Sequence, residues 1–128
     1  MNHNEHKSKE SEQDYLETIY ILSKTLPHVR SIDIANEMHY SKPSVSVAMK
    51  NLRQNKYIEV SEEGYISLTN EGHAIAKSVF ERHSLIARFL IHLGVEPEIA
   101  REDACMMEHD ISEESFDALK KHIDSLIK

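Results

Sequence analysis

Apolar positions in residues 11–24 recur at helical spacing: Tyr15, Leu16, Ile19, Tyr20 and Leu22 form one stripe. Ser11 stands where such a helix needs a cap. Asp14 then falls at the third helical position, like the acid of a capping box, and Glu17 projects from the same side. Pro27 closes the segment. Ser31 is expected to cap a short second helix, with Ile32, Ile34, Ala35 and Met38 inward, and His39 and Tyr40 make the turn after it. Ser41 caps a third helix with Pro43 in its first turn, where the missing N–H costs little. In that helix Val45, Ala48, Met49 and Leu52 pack inward while Lys42, Ser44, Ser46, Val47 and Lys50 look outward.

The pattern then changes period. Tyr57–Val60 and Tyr65–Leu68 alternate as two strands joined around Ser61-Glu62-Glu63-Gly64. Thr69-Asn70-Glu71-Gly72 opens a long helix reaching about Leu93, where Gly94 stops it. Its apolar set (Ala76, Val79, Phe80, Leu85, Ile86, Phe89, Leu90, Leu93) is too wide for one small neighbour and predicts a dimer interface. A helix from Pro97 and a last one from Ser112 to Leu126 complete the chain.

Helix, four-residue turn, helix, then hairpin is the layout of a winged helix-turn-helix, whose second helix enters the DNA major groove. Serines there bond base edges or phosphate, and cations neutralise phosphate. Ser41, Lys42, Pro43, Ser44, Ser46, Lys50 and Arg53 are therefore the candidate DNA-facing set. Glu62 and Glu63 at the hairpin tip repel phosphate, so the wing is expected to touch DNA weakly if at all. The predicted fold class is mainly α. A disordered tail (1–10) precedes an N-terminal winged-helix DNA-binding domain (11–72), and an α-helical dimerisation and metal-binding domain (73–128) follows.

Composition narrows the function classes. Hydrophobic residues make up 40%, with no Trp and three Gly, which suits packed helices. No apolar run approaches the ~20 residues of a membrane span, and the polar start lacks a signal peptide's apolar core. One cysteine permits no internal disulfide, which fits a cytoplasmic location. The net charge of −7 argues against a generic polyanion binder. That charge is uneven: residues 1–60 balance at eight cations and eight acids, and residues 61–128 hold seven against fourteen. Within 39–57 the charged side chains are Lys42, Lys50, Arg53 and Lys56, with no acid among them, a basic island fit to meet phosphate.

The chemistry concentrates in Cys105-Met106-Met107-Glu108-His109. At ~3.6 residues per turn, positions i, i+3 and i+4 put thiol, carboxylate and imidazole on one helix face. Soft sulfur, hard oxygen and borderline nitrogen together suit a first-row transition metal. Three ligands leave the shell incomplete. His83, on the apolar long helix, reads either as a hydrogen-bonded histidine at a packed surface or as a further ligand. Glu108-His109 lacks a second local histidine at metalloprotease spacing, so no enzyme and no small-molecule substrate is expected.

Four segments resemble one family, the metal-dependent repressors related to diphtheria toxin repressor and the manganese transport regulator. They are Asp14–Tyr20, Ser41–Ser46, Arg82–Leu85 and Cys105–Ser112, in order, within a likeness spanning Glu12 to Ile127. The resemblance implies a metal shell drawn from Asp14, Glu17, His83, Cys105, Glu108 and His109. It implies a homodimer that binds a palindromic double-stranded operator when the metal is present, and repression of metal-uptake genes. Cys105 follows the iron-type branch and Asp14 the manganese branch, so the site is a hybrid. Fe²⁺ or Mn²⁺ is the expected effector, with Zn²⁺ and Co²⁺ the other candidates. Ala87 and Arg101 stand where the iron-type branch has ancillary ligands, so that second site is not expected. The end near Lys128 suggests the short form, lacking the SH3-like third domain. The rival reading is a winged-helix regulator that senses a small molecule or oxidation of Cys105.

Overall fold

Nothing between His3 and Ser23 stops a helix: the stretch holds neither Gly nor Pro and is rich in Glu, Lys and Leu-like residues. The structure, a computed structural model, describes residues 3–126, with side chains from residue 10 onward. It places α1 at His3–Ser23. The helix thus covers most of the stretch expected as a disordered tail, and residues 1–2 lie outside the described residues. Ser11 consequently sits inside α1 and cannot cap it, which removes the capping-box role for Asp14.

Two turns tighten the end of α1 before an extended stretch leads to α2 (Ser31–Met38). Arg30, not Ser31, is the N-cap of α2; its backbone N–H donates to Asp33 Oδ2 at 2.9 Å. Ile34 and Ala35 are buried, whereas Ile32 is exposed rather than inward as expected. The turn to α3 (Lys42–Gln54) is three residues long, 39–41, because Ser41 is already the N-cap. His39 enters the left-handed region at φ 59° to end α2.

β1 (Ile58–Val60) and β2 (Ile66–Leu68) pair antiparallel in the register Ile58↔Leu68, Glu59↔Ser67, Val60↔Ile66. Gly64 supplies the positive φ at the hairpin tip, and Ser61 Oγ accepts from Tyr65 N–H. A third element joins this hairpin: Ile66 N–H donates to Val29 O at 2.7 Å. No strand was expected there. One bridge beside Pro27 is too short to leave an alternating pattern.

Thr69 caps α4 (Asn70–His92) by accepting from Gly72 N–H, while its hydroxyl donates to Lys56 O at 2.8 Å. Gly72 is demanded by proximity. A Cβ there would lie 2.0 Å from Tyr57 O, well inside any tolerable contact. α5 (Pro97–Asp110) and α6 (Glu113–Leu126) follow.

The chain forms two compact units, Met1–Ser78 and Val79–Lys128. In the first, Leu16, Ile19, Ile34, Val45, Leu52, Ile58 and neighbours from α1, α2, α3 and the hairpin make one core. Tyr15 lies at its edge against Tyr40, rings 5.9 Å apart; burial, then the Tyr40 charge, push its hydroxyl up from the ordinary tyrosine range. In the second unit Leu85, Ile86, Ala87, Ala104, Phe116 and Ile123 form a smaller core. Part of the wide α4 stripe is therefore covered within the same chain, and Ile91 and Leu93 remain exposed. Mainly helical, with a winged helix-turn-helix first and helices after it, the architecture agrees with the expected class. No helix among the described residues is long and apolar enough to cross a membrane.

Candidate functional site

The α3 surface carries the first candidate set. Ser41, Lys42, Pro43, Ser44, Ser46, Lys50 and Arg53 are all exposed, while Val45, Met49 and Leu52 are buried beneath them. The helical period sorts them, and the Ser41 cap fixes where the helix begins: Ser41 Oγ accepts from Ser44 N–H at 3.3 Å and its hydroxyl donates to Ser44 Oγ at 2.9 Å. No acidic side chain lies in the first turn of α3, so its partial positive charge stands uncancelled locally. Val47, 60% exposed, is the most outward apolar group of the helix.

The metal-competent residues divide between the units. Asp14, half-buried, and Glu17, buried at 7% exposure, stand one turn apart on α1 in the first unit. His83, half-buried on α4, and Cys105, Glu108 and His109 on α5 belong to the second. The α5 spacing behaves as its chemistry requires. Taken as whole residues, Cys105 and His109 are half-buried and Glu108 is buried, whereas Met106 and Met107, between them in sequence, are exposed. His109 Nδ1 stands 3.0 Å from Glu108 Oε1, and both side chains are almost fully covered. A carboxylate so covered is costly when charged unless it is paired or hydrogen-bonded. Cys105 is a free thiol.

Sequence reasoning gave no role to Arg82, which the structure makes central to this unit. Its Nη2 donates to Glu108 O at 3.2 Å and to Ile111 O at 2.9 Å. Its guanidinium also lies 5.0 Å from the Phe116 ring centre. These bonds satisfy carbonyls at the end of α5, where helices leave acceptors open and a cation suits the dipole. The Arg82 Nε is buried without a hydrogen-bond partner among the described residues. One signal was available, the Arg82-His83 pair within the second family-like segment, but a partner 26 residues away leaves no local trace. Ala87 is buried and Arg101 exposed.

Comparison with known proteins places this geometry. Residues 8–73 match the iron dependent repressor N-terminal DNA binding domain, and residues 69–127 match the iron dependent repressor metal binding and dimerisation domain. The transcriptional regulator MntR of Escherichia coli O6:H1 is 40% identical over 107 residues, covering 84% of this chain and 69% of that protein. The HTH-type transcriptional regulator MntR of Listeria monocytogenes serotype 4a is 33% identical over 109 residues, 85% of this chain and 77% of the relative. Among solved structures, the metal-dependent transcriptional regulator MtsR superposes with a TM-score of 0.82 at 31% identity, and the manganese regulator SloR with 0.78 at 31%. Each covers 88% of this chain, which spans about half the length of those solved chains (53%). With both of its units matched in series and curated relatives this similar, the chain belongs to the iron-dependent repressor family.

Proposed function

We propose that this chain is a metal-activated, DNA-binding transcriptional regulator and not an enzyme. It acts as a homodimer on a palindromic operator when Fe²⁺ or Mn²⁺ is bound, and it represses metal-uptake genes. The observation that carries the reading is the sorting of α5: Cys105, Glu108 and His109 turned to the covered side, with a nearly buried carboxylate against an imidazole. That donor set fits a first-row divalent ion, in which thiolate, carboxylate and neutral imidazole are all acceptable ligands. His83, Asp14 and Glu17 complete the proposed shell. A bound divalent cation supplies positive charge that neutralises these ligands and fixes their directions.

The remaining work falls to the chain. Glu108 and His109 are held at the end of α5 by Arg82, so they are presented together. Asp14 and Glu17 lie on α1, whose inner face packs into the core beneath α3; a ligand role for them ties metal binding to the DNA-facing unit. Lys42, Lys50 and Arg53 neutralise phosphate, and the α3 serines bond base edges or backbone. In a homodimer two such helices must meet DNA about one turn apart, ~34 Å, or a multiple of it. Exposed Ile91, Leu93 and Ile99 in the second unit supply apolar surface for that pairing.

Equilibrium dialysis against Mn²⁺, Fe²⁺ and Zn²⁺, followed by footprinting with and without each ion, tests the reading. Glu108→Ala and His109→Ala are expected to abolish metal-stimulated footprints while helix content and dimer mass persist. Metal-dependent footprints unchanged in both variants would refute the assignment. Protection that responds to thiol oxidation and to no metal would favour a Cys105 redox sensor instead.

A further inference from the structure

The wing and the stretch before α2 share a stacked cluster that the α3 interface does not use. Val29 pairs with Ile66, so His28 and Arg30, on either side of Val29, project to the same side of the strip. The Tyr65 ring stacks on His28 with centres 4.0 Å apart and planes 5° from parallel. The Arg30 guanidinium carbon lies 4.8 Å from the centre of the same ring. Arg30 itself is exposed, and its backbone N–H is already committed to Asp33. What it offers outward is its side chain.

We infer that Arg30, seated on Tyr65, is a sequence-independent contact to a DNA backbone phosphate, made beside the groove that α3 enters. Arg30 caps α2, the first helix of the helix-turn-helix, and in that arrangement the first helix crosses the phosphate backbone. A guanidinium presents planar paired donors that match phosphate oxygens. Attraction to the ring restrains a long side chain while leaving its edge free, which lowers the ordering cost of binding. Glu63 is the built-in competitor. Its carboxyl is held below the usual range by its own backbone N–H and the Ser61 side chain, and further by His28 and Arg30. It therefore stays ionised near Arg30, and phosphate must displace its influence. The contact makes the wing region a net contributor to binding despite its acidic tip, and it rests on the DNA-binding reading above.

The test is fluorescence anisotropy of the full-length, Mn²⁺-loaded chain on two duplexes: an inverted repeat selected by the wild type from random DNA, and a scrambled duplex. Salt is varied from about 50 to 200 mM, the range over which phosphate contacts dominate the response. Arg30→Gln is expected to lower the slope of log K against log salt by about 0.9 per Arg30, or about 1.8 for a homodimer. Affinity should fall by a similar factor on both duplexes. Tyr65→Phe should keep the wild-type slope, Tyr65→Ala should lose part of it, and Glu63→Gln should tighten binding. An unchanged slope in Arg30→Gln, or a loss confined to the selected repeat, overturns the contact while the parent reading stands. A wild type that binds neither duplex overturns the DNA-binding reading and this contact with it.

Discussion

The two units of this chain solve the same packing problem to different degrees. The first buries a continuous apolar core drawn from α1, α2, α3, the start of α4 and the hairpin, with Glu17 its one buried charged side chain among the described residues. The second buries fewer large groups. It encloses Glu108 and the Arg82 guanidinium beside them, and it leaves Ile91, Leu93, Ile99, Met106 and Met107 in solvent. Enclosed charge and exposed hydrocarbon are each costly for a free-standing helical unit. Among the described residues each unit buries one carboxylate and leaves some apolar side chains exposed, so what sets them apart is the core: the first has the larger one, and the second, with fewer buried apolar groups, leans on the Arg82 bonds for its cohesion.

The sharpest way to break that contrast is at Gly72, in the unit with the larger core. A Cβ 2.0 Å from Tyr57 O must push α4 away from the start of the wing, so Gly72→Ala should cost about 3–5 kcal/mol. A thermal melt lowered by only a degree or two would show that the approach is slack. Arg82→Met comes next, at about 2–3 kcal/mol, since it strands two carbonyls that a cation now satisfies. Hydrogen exchange should show the loss confined to α5 and α6, with α1 to α3 as protected as before; uniform loss would erase the contrast between the units. Leu93→Asp, at a 62% exposed position, should leave the fold intact and weaken self-association about tenfold or more by sedimentation. An unshifted dimer would remove Leu93 from the pairing surface.

The smallest effect is a pH dependence at the wing. The Glu63 carboxyl is held below its ordinary value of 4.5, chiefly by its own backbone N–H and by Ser61. A depressed folded-state value means the contribution is present above that ordinary value and fades as pH falls through the folded one. Glu63→Gln should flatten this acid-side loss, read as the chemical shifts of the Ser61 and Gly64 amides between about pH 5 and 3. Identical titration in the variant would assign the change to another group.

Much of the fold could be read from residue order because it depends on neighbours a few positions apart. The stripes of α1 and α3, Pro43 in the first turn, the Ser41 cap, the Gly64 hairpin and the common face of Cys105, Glu108 and His109 all follow from local period or backbone preference. What escaped notice depends on distance in the chain. Val29 becomes a strand only because Ile66 lies beside it, and Gly72 is required only because Tyr57 approaches. Arg82 matters through carbonyls 26 and 29 positions on. The start of α1 failed for another reason: Ser11 looked like a cap, yet the polar residues before it are themselves good helix formers.

Arg82 has one more consequence. A guanidinium holds its donors in a rigid plane, so the two bonds from Arg82 pin the last turn of α5 against α4. Ends of helices ordinarily fray, and fraying here would scatter Glu108 and His109. Pinned, they form a finished shelf, and under the metal-activated reading proposed above an ion landing on it would spend little of its binding energy on organising that place.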